Sequence, residues 1–87
     1  MIEREVTIRN RAGLHTRPAA VLVKTASKYK ADFFILKDGM EINGKSIIGV
    51  MTLAAEQGST MILRFDGEDE AAAADDIIGY FERGFDE

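Results

Sequence analysis

The chain contains one histidine and one proline, and both fall within the eight residues Gly13-Leu14-His15-Thr16-Arg17-Pro18-Ala19-Ala20. Proline suits the first turn of a helix, where an amide N–H would have no partner, and Thr16, two residues earlier, has a side chain suited to capping. This spacing predicts a helix that opens at about residues 16 to 18, with His15 at its lip. Unpaired backbone N–H groups at such an end, the positive pole of the helix dipole and the Arg17 guanidinium together favour a phosphate-sized anion. An imidazole placed there can carry a phosphoryl group itself. The positive helix end also disfavours imidazolium, which leaves a neutral ring nitrogen as nucleophile near pH 7.

To occupy that position the histidine needs a scaffold, and the flanking sequence supplies one. Ile2, Val6 and Ile8 alternate with Glu3, Glu5, Thr7 and Arg9, the pattern of a strand with one face on a core, and Asn10 to Gly13 form a loop. Ala19, Leu22, Val23 and Ala26 recur at helical spacing as far as Ser27 or Lys28, with Arg17, Lys24 and Lys28 on another face. Asp32 to Lys37 is rich in β-formers, although alternation does not settle which side faces inward. Asp38-Gly39 is a tight hairpin signal, Met40 to Asn43 form the return strand, and Ser46 caps a short helix running to about Leu53. Thr60 to Asp66 alternate as a fourth strand. A last helix starts near Glu68, buries Ala74, Ile77, Ile78 and Phe81, and stops at Gly84. The order β-α-β-β-α-β-α buries every apolar stripe if the helices share one face of the sheet, which places the chain in the α+β class.

At 87 residues, 46% apolar and 30% charged, the composition is that of one soluble globular domain spanning 1–87. The absence of cysteine excludes disulfides, thiolate metal sites and cysteine nucleophiles, and a single histidine excludes a histidine-rich metal site. No metal or cofactor is called for. No run approaches transmembrane length and the first residues lack signal-peptide order, so a cytoplasmic protein without membrane insertion is expected. The net charge of −4 is unevenly spread: residues 6–31 hold six of the eleven basic residues and no acid, whereas residues 66–87 hold nine acids and only Arg83 as a base. A basic field around His15 on an acidic chain, without interleaved aromatics, points to an acidic protein surface as partner rather than nucleic acid.

The octapeptide Gly13 to Ala20 resembles the active-site signature of the HPr family, the histidine-containing phosphocarriers of the bacterial phosphotransferase system. It departs from the usual pattern only at Thr16, where that family generally has alanine, and the resemblance extends over essentially the whole chain. It implies an open-faced antiparallel β-sandwich with the first strand beside the fourth, then the second, then the third. It also implies that phosphorylated enzyme I, charged from phosphoenolpyruvate, passes its group to Nδ1 of His15, and that His15 passes it on to enzyme IIA of a sugar permease. Such a protein is a carrier with no small-molecule turnover, stabilises phosphate through Arg17 and the helix start at Thr16 and Pro18, and is expected as a monomer.

Gly44-Lys45-Ser46-Ile47-Ile48-Gly49-Val50-Met51 looks like the stretch on which members of this family are phosphorylated by a dedicated HPr kinase/phosphorylase, a modification read in turn by a transcriptional regulator. Ser46 therefore has two compatible readings, helix cap and regulatory site. Ile47 and Val50 can face the sheet, but Ile48 and Met51 cannot both join them. The resemblance places Leu14, Ile47, Ile48 and Met51 in an exposed apolar docking patch, with Arg17 and Lys24 beside it. Three other readings remain open: a carrier of the nitrogen-related branch, whose C-terminus resembles Gly84-Phe85-Asp86-Glu87; a regulatory module acting only through Ser46; and a metal-free phosphatase using His15. The last would need a group to activate water, and none stands near the motif.

Overall fold

A computed structural model describes residues 1–87. Four strands, β1 (Ile2–Thr7), β2 (Asp32–Lys37), β3 (Met40–Asn43) and β4 (Thr60–Asp66), form one antiparallel sheet in the order β1-β4-β2-β3. Three helices, α1 (Thr16–Ala26), α2 (Ile47–Met51) and α3 (Glu70–Glu82), are followed by a 3-10 turn at Gly84–Asp86. The class, element order and strand order are those anticipated: an open-faced α+β sandwich.

Register settles the facing of β2. Phe33 lies opposite Phe65 of β4, and the two rings stack 4.9 Å apart beneath the helices, while Phe34 and Leu36 occupy the other face. Each buried ring contributes about 2 to 3 kcal/mol through area removed from water. Gly44 follows from this packing, because a Cβ there would run into the Phe33 ring. Ala19, Leu22 and Ala26 of α1 and Ala73, Ala74, Ile77, Tyr80 and Phe81 of α3 complete the core with Val50 and Leu53. The small residues of α3 let its backbone approach β1 and β4 closely, while α1 packs its backbone chiefly along α2 and α3.

The helix and strand ends differ from expectation for local reasons. The ladder of β1 stops at Thr7, although Ile8 remains buried and still exchanges bonds with Gly58 and Ser59 at 2.9 Å. α1 ends at Ala26, before Ser27, whose hydroxyl donates to the Val23 carbonyl. α3 begins at Glu70 rather than Glu68, because the Asp69 carboxylate leaves its own helix to accept the N–H groups of Lys30 and Ala31, both at 2.8 Å. Asp69 thus ties the start of β2 to the start of α3. Those two N–H groups, Lys30 first, hold its carboxyl below the usual aspartate range.

Candidate functional site

The loop from β1 to α1 turns at Gly13, which has φ +72° and leaves no room for a Cβ against the Ala55 carbonyl. One residue on, the Leu14 N–H donates to that same carbonyl at 2.9 Å, and its side chain, 5% exposed, enters the core. This overturns the expectation that Leu14 belongs to an exposed patch. It also explains the display of its neighbour: with Leu14 anchored inward, the His15 side chain projects outward and stays 38% exposed.

His15 itself, at φ −92° and ψ −173°, is the N-cap of α1, and its side chain makes no capping bond. Thr16, expected as the cap, instead occupies the first helical position, because the first intrahelical bond runs from the Ala19 N–H to the His15 carbonyl at 3.0 Å. The N–H groups of Thr16 and Arg17 precede that bond, and buried Pro18 has none to satisfy. The opening of α1 therefore offers two N–H groups, a positive dipole end and an imidazole that takes no part in capping.

The ring's nearest polar partner comes from 72 residues away. Nε2 of His15 lies 2.8 Å from Oε2 of Glu87. Oε1 of the same carboxylate accepts Nδ2 of Asn10 at 2.7 Å, and Nδ2 also donates to the Gly13 carbonyl at 2.8 Å. Both contacts of this nearly buried amide are to acceptors, so its nitrogen must face them. The Asn10 bond first, and His15 second, hold the Glu87 carboxyl below the usual glutamate range. An ionised carboxylate can only accept, so Nε2 carries the proton and Nδ1 is the nitrogen left for chemistry. The helix end alone does not prepare the ring; a carboxylate holds its far side.

Nothing in the sequence singles out Asn10, and Glu87 enters it only as the last residue of the stretch Gly84-Phe85-Asp86-Glu87, with no link to His15. The apolar Phe85 just past the Gly84 stop is the one hint that the chain folds back. Phe85 is buried 5.0 Å from the Phe81 ring and 5.1 Å from Tyr80, which brings Glu87 to the loop.

Arg17 is exposed and lines an open groove of about 440 Å³ with Pro18, Val21, Tyr80, Asp86 and Glu87. A second hollow of similar size, bordered by Arg11, Ala12, Ala54, Glu56 and Gln57, flanks His15 itself. Lys24 is also exposed, toward the other end of α1. No three histidine, cysteine, aspartate or glutamate side chains converge to hold a metal ion. No helix is long and apolar enough to cross a membrane.

Ser46 is the N-cap of α2, as expected, its Oγ accepting the Gly49 N–H at 3.2 Å. Neighbouring Lys45 is not free to pair with an anion without cost, since its ammonium donates to the Tyr29 carbonyl at 2.8 Å. Val50 faces the core, but Ile47 does not join it as anticipated: Ile47, Ile48 and Met51 are all exposed, Ile48 at 76%. One turn and a half of helix cannot bury three apolar faces at once.

Residues 2–83 match the family described as "PTS HPr component phosphorylation site". A phosphocarrier protein HPr of Xylella fastidiosa is 46% identical over 87 residues, covering all of this chain and 98% of that one. An HPr-like protein Crh of Halalkalibacterium halodurans is 41% identical over 95% of this chain and 99% of its own. Among solved structures, HPr of Thermoanaerobacter tengcongensis superposes with a TM-score of 0.95 at 40% identity, over all of this chain and 98% of the other. The chain belongs to the HPr family, whose members are phosphocarriers of the phosphotransferase system and not turnover enzymes.

Proposed function

We propose that this protein accepts a phosphoryl group on Nδ1 of His15 from phosphorylated enzyme I, charged from phosphoenolpyruvate, and passes it to enzyme IIA of a sugar permease in the cytoplasm. The observation that carries this reading is the half-exposed imidazole at the unfilled opening of α1, with Nε2 engaged by Glu87. Transfer between two imidazoles asks for a free lone pair, charge stabilisation on the equatorial oxygens and correct approach. Nδ1 meets the first requirement; the Thr16 and Arg17 N–H groups and the Arg17 guanidinium meet the second. The exposed Ile47, Ile48 and Met51, with Lys24, serve the third through a small and short-lived interface.

Ser46 adds regulation. A phosphate on its hydroxyl sits at the start of α2 and adds about −1.5 to −2 charge beside Ile47 and Ile48, which repels an acidic partner. An HPr kinase/phosphorylase would write this mark and a transcriptional regulator would read it. The similarity to Crh proteins, one of them the Bacillus subtilis catabolite repression HPr, favours this second layer. The nitrogen-related branch is the competing assignment, and purified enzyme I of each branch distinguishes them. Incubation with phosphoenolpyruvate and enzyme I should add one acid-labile phosphoryl group that is absent from His15→Ala. Phosphate that survives acid, or labelling of the variant, would place the chemistry elsewhere.

A further inference from the structure

The helices cover one face of the sheet, and nothing in the folded chain covers the other. Across that open face one row runs Glu5, Ile62, Leu36, Glu41 from β1 to β3, with Phe34 next to Leu36 on the same side of β2. Ile62 is 38% exposed, and Phe34 and Leu36 are half-buried. The charges around them are unbalanced. Arg64 is the single base on this face, and its guanidinium is already taken by Glu3 at 2.8 Å and Glu41 at 2.6 Å. Glu5, Asp32 and Asp66 make no ion pair. Asp32 and Asp66 stand directly opposite each other on neighbouring strands, a placement that is destabilising until a cation lies over it. The Met1 ammonium, the other cation near Asp66, is bonded to Glu70 at 2.9 Å. Apolar residues flanked by acids on both sides suit a partner with an apolar centre and a basic rim.

The same molecule bears a surface of that description. Ile47, Ile48 and Met51 project from α2, and Arg17 and Lys24 are exposed on α1, which packs against α2. The dimensions agree as well. Glu5 and Glu41 are three strand spacings apart, about 14 Å, and Arg17 and Lys24 are two helical turns apart on one side of α1, about 10 Å. We propose that the open face of the sheet binds the α1–α2 face of a second copy of this chain, so that the protein, a monomer when dilute, associates head to tail as its concentration rises and covers His15 in doing so. The inference rests on the α1–α2 face being the surface that meets acidic partners, which the sheet face then imitates. Because the two surfaces differ, each contact leaves one of each kind free, and the association does not close at a dimer. The interface is small, hence weak and quick to exchange. At high concentration the carrier competes with its own partners, and phosphoryl transfer is held back.

The test follows the natural protein by sedimentation and by amide NMR from about 0.02 to 2 mM, the range in which so small a contact forms. Mean mass should rise with concentration without levelling at two copies, and shifts should move on both surfaces. Ile62→Lys on the sheet and Ile48→Glu on α2 should each weaken association about tenfold. Mixed in equal amounts they should recover it and stop at a pair, since each supplies the surface the other lacks. Glu5→Lys, at an exposed position, repeats the sheet test without touching the apolar row. Raising salt from about 50 to 500 mM should weaken the contact several-fold. Constant mass, a dimer with shifts on one surface only, unchanged association in Ile62→Lys and Glu5→Lys, or no recovery in the mixture would overturn the proposal. Transfer from enzyme I at about 1 μM, too dilute for self-association, should be equal in Ile62→Lys and the natural protein; a slower variant would put the sheet in the transfer surface and overturn it too. If the natural protein takes no phosphate on His15, the carrier reading falls, and the mass measurements still decide the association.

Discussion

The first two helices of this molecule each open at a polar residue, and the two openings are built differently. At α2 the Ser46 hydroxyl accepts the Gly49 N–H and finishes the helix end. At α1 the His15 side chain caps nothing, and the N–H groups beyond it remain open. The serine is engaged in structure, and any chemistry on it must first give up that bond. The histidine has been released from structural duty by Leu14, which anchors the loop on its behalf. A reactive side chain at a helix start is therefore recognised by what it leaves undone.

This contrast can be broken by experiment. The largest effect is expected for His15→Ala, which should abolish phosphoryl acceptance yet change stability by less than about 0.5 kcal/mol in urea unfolding. A marked loss of stability would make the two openings alike. Arg17→Ala should slow transfer about a hundredfold with unchanged circular dichroism; equal rates would show the guanidinium to be idle. Ile48→Glu, on the exposed side of α2, should leave the fold intact and weaken phosphoryl exchange about tenfold, and unchanged exchange would remove that patch from the docking surface. Ser46→Ala should reverse the His15 pattern, with about 1 kcal/mol lost in thermal or urea unfolding and transfer at His15 unaltered.

The smallest effect concerns the third helix start, where Asp69 serves β2 instead of its own helix. Its carboxyl is held below the ordinary value in the folded state. The stabilisation is therefore complete above roughly pH 4 and is lost as pH falls through the lowered folded value. In Asp69→Asn that part of the acid sensitivity should vanish, and a series of unfolding curves between about pH 2 and 5 measures it. An unaltered pH dependence would mean that the two amide bonds contribute equally to an uncharged side chain.

The sequence disclosed features in proportion to how local their causes are. Asp32–Lys37, Met40–Asn43 and Thr60–Asp66 carry their strand character in β-forming residues bounded by turns, and all three appear at the anticipated limits. Ser46 as a cap is likewise a matter of a few neighbouring residues. Leu14 was legible as apolar but not as buried, because its fate depends on the Ala55 carbonyl forty-one positions later. Asp69 stands at a helix start in the sequence, whereas the N–H groups that claim its carboxylate belong to another element. For Glu87 the difficulty was greatest: one acid among nine in that segment, distinguished only by a backbone turn that no composition announces.

The contact between Glu87 and His15 closes a span of 72 residues, whereas the turns of α1 close spans of four. Closure of the longer span depends on α3 and on the turn after it, because Phe85 is seated on Tyr80 and Phe81. The readiness of the ring is thereby tied to the seating of a segment far along the chain, and whatever loosens α3 is felt at the imidazole.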